Sequence, residues 1–293
     1  MKGERSMFDA AIVGTGPAGL SAALTLKMRG KNLIWFGSDL YSGKVERSET
    51  IGNYPGLGLI GGTELNARFR AHAAELGLKN MDRMVTSISP LKNRFMLLAD
   101  NEVFEARTVL LATGVVNAKA FPGEEALLGR GVSYCATCDG MFYRGKTIAV
   151  FCGAKRYEHE VTYLSEMAAK VYLLAGYPDC GLQADNVERL NVPIREIVGE
   201  KRVSALRLGD GSELPVDGIF CLRSAIAPAS LLPGLQLAGA HITVDRRMAT
   251  NIPGCFAAGD CTGAPYQIAK AVGEGNIAAH AMLDEIAARE ETA

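Results

Sequence analysis

Short apolar runs broken by glycine turns set the pattern of this chain. Residues 8–13, Phe-Asp-Ala-Ala-Ile-Val, have the length and apolar character of a buried strand. Gly14-Thr-Gly16-Pro-Ala-Gly19 follows, and 20–28 continues as a helix. A second apolar run, 32–36, predicts the next strand. The arrangement returns further on: a strand over 146–151, the turn Cys152-Gly153-Ala154-Lys155-Arg156-Tyr157, a helix over 158–168 and a strand over 171–174. Near the C-terminus, Gly254-Cys-Phe-Ala-Ala-Gly259-Asp260 reads as a strand ending in Gly-Asp. An Ala-rich helix over 267–282 follows, with Gly273 and Gly275 in its first half. No long linker, repeat or low-complexity segment intervenes, and the split layout predicts one domain interrupted by another.

The first turn is a G-x-G-x-x-G between a strand and a helix, the context in which those glycines carry meaning. They allow a tight turn, close approach of backbone to a pyrophosphate, and close packing of the helix, whose N-terminus stabilises the phosphate charge. One element is missing: the second strand ends in Phe36-Gly37, where an acid for the adenosine ribose is expected, and Asp39 comes two residues late. The late Gly259-Asp260 puts a carboxylate at a strand end, suited to a hydroxylated ribityl chain, although Gly-Asp by itself is an ordinary turn signal.

Composition narrows the class. The 293 residues suffice for one large or two medium domains; 48% are hydrophobic, 22% charged, and the net charge is -1. That balance gives no basic excess for nucleic acid. No run approaches a membrane span and no signal-peptide pattern is visible, so a cytoplasmic, largely reduced protein is expected.

Cys135-Ala136-Thr137-Cys138-Asp139 carries the chemistry. Two cysteines three apart can close into a small reducible ring, and the adjacent Asp139 can exchange the proton that each thiolate needs. A zinc site needs four ligands; the other cysteines (152, 180, 221, 255, 261) form no second CxxC and the histidines (72, 159, 241, 280) are scattered, so no metal is expected.

Together these segments resemble the low-molecular-weight thioredoxin reductases. The shared pieces are Gly14 to Gly19, Asn53-Tyr54-Pro55-Gly56, Ala112-Thr113-Gly114, Tyr134 to Asp139, and Gly259-Asp260 with Gln267 and Ala269. The resemblance runs nearly end to end. It implies an α/β fold of two Rossmann-like nucleotide-binding domains: an FAD domain over 1–115 and 244–293, split by an inserted NADPH-type domain over 116–243 that carries the CxxC. It implies a homodimer that reduces thioredoxin. Cys138 would face the flavin, Cys135 would attack the thioredoxin disulfide, and Asp139 would move protons. Gly14, Gly16, Pro17, Ala18, Gly19, Lys44, Asn53, Val85, Gly114, Gly259, Asp260, Tyr266, Gln267 and Ile268 would hold FAD.

The chain departs from the family pattern where NADPH should bind. The inserted domain's Gly-x-Gly-x-x-Ala turn is here Cys152, Gly153, Ala154 and Tyr157, and Ala175-Gly176-Tyr177-Pro178 replaces the basic cluster for the 2′-phosphate. Each charge-assisted contact so lost is worth about 1.5–3 kcal/mol. The combination resembles the ferredoxin-dependent flavin thioredoxin reductases, with supporting likeness at Phe36 to Asp39, Val171-Tyr172, Asp245 to Met248 and Asp260 to Gln267. A basic patch for an acidic ferredoxin is then expected, with Lys44 and Arg47, or Arg68 and Arg70, as candidates. Three alternatives stay open: a diflavin disulfide oxidoreductase with a second FAD, a diverged NADPH enzyme using Lys155 or Arg156, and a non-catalytic redox-sensing flavoprotein.

Overall fold

The opening apolar run forms β1 (Phe8–Val13) in a computed structural model that describes residues 7–100, 102–114, 120–134, 136–178, 180–223 and 226–291, Cys138 by its backbone only. Helix α1 (Pro17–Met28) follows at once, starting three residues earlier than the sequence pattern suggested because Pro17 is pre-set for a first helical position. Next come β2 (Leu33–Phe36), the short α2 (Gly43–Glu46) and α3 (Gly62–Glu75). An antiparallel extension, β3 (Val85–Pro90) and β4 (Phe95–Ala99), leads into the long β5 (Glu102–Leu111).

The chain then enters a second unit, residues 117–230. It contains β6 (Val132–Ser133), α4 (Ala136–Asp139), β7 (Thr147–Cys152), α5 (Glu158–Met167), β8 (Lys170–Ala175) and β9 (Val187–Arg189). An antiparallel trio follows, β10 (Ile194–Gly199), β11 (Val203–Leu208) and β12 (Glu213–Pro215), and then β13 (Gly218–Leu222). The main sheet, in the order β6-β13-β7-β8-β9, is parallel throughout, and its central strands are apolar on both faces as buried parallel strands must be.

After α6 (Pro228–Leu231) come β14 (Leu237–Ala238), β15 (His241–Ile242), β16 (Cys255–Ala257) and the long α7 (Ile268–Glu291). Residues 231–293 belong with residues 1–116. The return thus comes at 231 rather than at 244. Leu232 is fully buried, and side-chain bonds tie the segment to the loop that precedes β16: Gln236 N donates to Asn251 Oδ1, and Asn251 Nδ2 donates to Gly234 O.

In this first unit the sheet runs β2-β1-β5-β4-β3, with β16 also on β5. One edge of β5 pairs in parallel with β1. The other is shared: β4 pairs antiparallel with Glu102 to Ala106, and β16 parallel with Val109 to Leu111. Helices α1 and α7 pack together over this sheet in a core that includes Ala10, Ile12, Trp35, Leu110, Phe256 and Met282. Their approach is close: a Cβ on Gly275 of α7 would stand 2.1 Å from Ala18 O.

Candidate functional site

The first nucleotide turn is shaped by its backbone. Gly14 has φ +121°, and a Cβ there would lie 2.1 Å from Ala112 O, so the turn and the Ala112-Thr113-Gly114 segment touch main chain to main chain. A Cβ on Gly19 would meet Gly14 O at 1.9 Å, whereas one on Gly16 would meet nothing within 4 Å. Gly16 is the N-cap of α1, without a side-chain cap; Pro17 and Ala18 open the helix, and no acid lies in its first turn. Open space therefore adjoins uncapped amide donors at the positive end of a helix, which suits an anion. Thr113 Oγ1 is buried there without a hydrogen-bond partner among the described residues.

Where an acid for the ribose was sought, β2 is followed by Gly37 (φ +140°) packed against Thr15, whose hydroxyl donates to Ser38 O at 2.9 Å with Tyr41 O also 3.2 Å away. Asp39 instead accepts a hydrogen bond from Asn80 Nδ2 at 2.9 Å.

Most of the other residues expected to hold FAD meet in two groups. Lys44 Nζ lies 2.6 Å from Asp260 Oδ2 and 4.7 Å from the Tyr266 ring centroid, while the Tyr266 hydroxyl pairs with His241 Nε2 at 2.7 Å. Asn53 Nδ2 donates to Gln267 Oε1 at 2.7 Å, and the next residue, Ile268, starts α7 and packs on the Val45, Ile51, Ile60 and Leu65 cluster. Val85 opens β3 and is buried, paired with Ala99 across the antiparallel extension rather than placed in either group. The Gly259-Asp260 loop is fastened by two residues the sequence reading missed. Glu274 accepts from Gly259 N at 2.8 Å, and Lys270 Nζ donates to Gly259 O and Gly263 O. Their four-residue spacing in α7 was the available signal. As for the basic patch, Lys44 is tied to Asp260 and Arg68 to Glu64, so each expected pair has one charge already engaged.

The redox motif lies in the second unit. Cys135 and the Cys138 side chain fall outside the described residues. Around them, Ala136 to Asp139 form α4, which leads into a 3-10 turn over Gly140–Tyr143. The five remaining cysteines, 152, 180, 221, 255 and 261, are free and buried. Burial pushes the Cys255 thiol up to about 12 and the Cys261 thiol up to about 11. Among the described residues no cluster of His, Cys, Asp or Glu could hold a metal, and no helix is long and apolar enough to cross a membrane.

The second turn, between β7 and α5, is filled by the protein's own groups. Two of its amides bond internally, Gly153 N to Leu222 O and Tyr157 N to Ala154 O, and Gly176 N of the loop after β8 donates to Cys152 O. Cys152 and Tyr157 are buried in the unit's core. Tyr177 occupies the loop after β8, where its hydroxyl donates to Glu158 Oε1 at 2.6 Å. Glu158 and Glu160 place two acids in the first turn of α5. Arg156, a candidate for an alternative phosphate contact, instead donates to the Tyr157 hydroxyl at 2.6 Å. The Rossmann layout remains, but two carboxylates, Glu158 and Glu160, now stand at the helix N-terminus beside Lys155 and Arg156.

Two nucleotide-type units with a CxxC in the second define a flavin-dependent disulfide oxidoreductase, and the comparisons agree. The family model described as "Pyridine nucleotide-disulphide oxidoreductase" matches residues 8–275. A thioredoxin reductase of Listeria innocua is 32% identical over 298 residues, covering 95% of this chain and 93% of the relative. Among solved structures, a ferredoxin-flavin thioredoxin reductase from Clostridium acetobutylicum is 40% identical with a TM-score of 0.87, covering 96% of this chain and 98% of that one. A thioredoxin reductase from Gloeobacter violaceus is 30% identical with a TM-score of 0.78, covering 98% and 96%. The chain belongs to the low-molecular-weight thioredoxin reductase family.

Proteins of this family are FAD-dependent flavoproteins, and the first unit fits that group. It offers the acid-free helix N-terminus and open Gly16 for a pyrophosphate, the orphaned Thr113 hydroxyl, and the Asp260 carboxylate beside Lys44.

Proposed function

We propose that this chain reduces a thioredoxin disulfide through Cys135 and Cys138, and that a reduced ferredoxin rather than NADPH supplies the electrons. One contrast carries the choice of donor. Helix α1 has no acid in its first turn and open space at Gly16, whereas α5 has Glu158 and Glu160 in its first turn and Tyr177 bonded to Glu158. The helix dipole favours an anion at both places, but at the second the protein's own Glu158 carboxylate, bonded to Tyr177 and next to Lys155 and Arg156, already stands there. The 40% identity to a protein named a ferredoxin-flavin thioredoxin reductase supports the same reading.

FAD, when bound, would supply two electrons to the Cys135–Cys138 disulfide, and two one-electron ferredoxins would be needed to replace them. Cys135, as thiolate, attacks one sulfur of the thioredoxin disulfide and releases the other as a thiol; Cys138 then attacks the mixed disulfide and frees reduced thioredoxin. The enzyme pair ends oxidised and the substrate pair reduced, a balance of two electrons and two protons. Asp139, at the end of α4, exchanges the protons. Gly14, Gly16, Pro17, Ala18, Gly19 and Gly114 would cradle FAD, and Lys44, Asn53, Gly259, Asp260, Tyr266, Gln267 and Ile268 would complete the set that holds it, with buried Val85 supporting from β3. A plant-type ferredoxin near -400 mV and a thioredoxin near -270 mV differ by about 130 mV, or about 6 kcal/mol for two electrons.

Anaerobic stopped-flow mixing tests the donor. Reduced ferredoxin is expected to bleach the flavin absorbance, and NADPH at micromolar concentration is not. Bleaching by NADPH within seconds overturns the assignment, and two flavins per chain would favour the diflavin alternative.

A further inference from the structure

The residue before Cys135 is anchored to a buried ion pair that the disulfide chemistry described above does not use. Tyr134 is 6% exposed, and its hydroxyl donates to Glu124 Oε1 at 2.9 Å. Glu124 is 1% exposed; its other oxygen accepts from Arg223 Nη2 at 2.9 Å and from Phe121 N at 2.8 Å. Arg223, 6% exposed, follows β13 with its guanidinium carbon 4.8 Å from the Phe121 ring centroid and 5.2 Å from that of Phe151. Two aromatic rings, a guanidinium and a carboxylate thus form a closed block within the second unit.

A buried ion pair is a costly way to stabilise a fold, since apolar side chains of similar volume serve as well or better. What it does supply is a fixed polar point inside the core. Here the fixed point is Glu124 Oε1, and what is fastened to it is Tyr134, one peptide bond from Cys135. Burial and the adjacent Glu124 carboxylate raise the Tyr134 pKa, which keeps the phenol neutral and donating.

We infer that Tyr134, held by the Glu124–Arg223 pair, is a positioning residue for Cys135 that sets how readily the Cys135–Cys138 disulfide closes. The inference rests on the reading of those two cysteines as the redox pair. Closing the ring turns two thiols into one S–S bond and releases two protons and two electrons to an oxidant, here glutathione disulfide. The equilibrium depends on the effective concentration of one sulfur at the other, and a fixed backbone at residue 134 raises it. Freeing that backbone leaves the ring chemistry intact but weakens closure.

The test equilibrates the flavin-loaded protein anaerobically in glutathione buffers. Acid quenching, alkylation and mass measurement of the peptide spanning residues 134–139 then give the disulfide-to-dithiol ratio. Tyr134→Phe, which removes only the hydroxyl, is expected to lower that ratio about tenfold at fixed buffer, equivalent to a potential about 30 mV more positive. Tyr143→Phe is the control: Tyr143 is buried in the same unit, just after the motif, and packs edge-on against Phe220. Its ratio is expected to match the wild type. A Tyr134→Phe ratio within twofold of wild type, or an equal shift in Tyr143→Phe, overturns the inference while leaving the redox pair standing. Failure of residues 135 and 138 to form a reversible couple in any of the three proteins overturns both readings.

Discussion

Gly14 and Gly16 lie two residues apart in one turn, and substituting each with alanine should produce opposite phenotypes. At Gly14 a methyl would sit 2.1 Å from Ala112 O and 2.6 Å from its carbonyl carbon, both backbone atoms that cannot swing aside, at φ +121°. Backbone strain costs about 1–3 kcal/mol and overpacking about as much again, so Gly14→Ala should lose about 2–6 kcal/mol of a total near 5–15. At Gly16, φ -69° and ψ 179° suit any L-residue and nothing lies within 4 Å. Gly16→Ala should therefore change apoprotein stability by less than about 1 kcal/mol. Its methyl instead stands where a phosphate must approach the amides of α1. Losing one charge-assisted hydrogen bond of about 1.5–3 kcal/mol weakens FAD binding about 10- to 150-fold. Urea unfolding of the flavin-stripped proteins measures the first effect; the cofactor must be removed because bound ligand adds stability of its own. Titration with FAD, followed by flavin fluorescence, measures the second. The reasoning fails if the Gly16→Ala apoprotein is as unstable as Gly14→Ala, or if it binds FAD within twofold of wild type.

Two further outcomes follow from the buried cysteines and one from the redox pair. With the five free cysteines buried, reduced native protein at pH 8 should take up no more than two alkyl groups on brief iodoacetamide treatment, against seven after unfolding, by intact mass. Folded Cys255 and Cys261 hold their protons to about 12 and about 11, above the ordinary thiol value near 8.5, so the folded state binds more protons; their contribution is complete below about pH 8.5 and is lost as pH rises toward 11–12, which urea midpoints across that range should show. Cys135→Ser should leave a yellow protein with a new long-wavelength absorption band from the Cys138 thiolate beside the flavin; the same band in Cys138→Ser instead would reverse the two roles.

Local patterns were the legible part of this molecule. The first turn could be read because its glycines sit between a strand and a helix, and the structure shows main-chain contact at Gly14 and Gly19. The altered second turn was visible as Cys152, Ala154 and Tyr157, but the sequence alone did not reveal that Tyr177 reaches Glu158, since that bond joins the loop after β8 to the first turn of α5. The Lys44–Asp260 pair joins residues 216 positions apart, so a basic residue that looked available for docking proves to be engaged. Glu124 and Arg223, separated by 99 positions, gave no local signal at all. The return of the chain at 231 was missed for a similar reason: the short hairpin of β14 and β15 lacks the apolar run that marks a strand in sequence, and side-chain bonds such as Asn251 to Gly234 fix its place.

The shared edge of β5 has a consequence for the order in which the protein can be made. Strand β16 and helix α7, which complete the FAD-binding unit, leave the ribosome only after the whole of residues 117–230 has been synthesised. Domains fold as units as they emerge, at about 5–20 residues per second. The inserted unit has all its strands in one continuous stretch and can fold while the first unit still lacks the strand that pairs with Val109 to Leu111 and the helix that packs on Ala18. The redox-motif unit can therefore fold before the flavin site is complete, since FAD capture must wait until residues 255–291 have emerged.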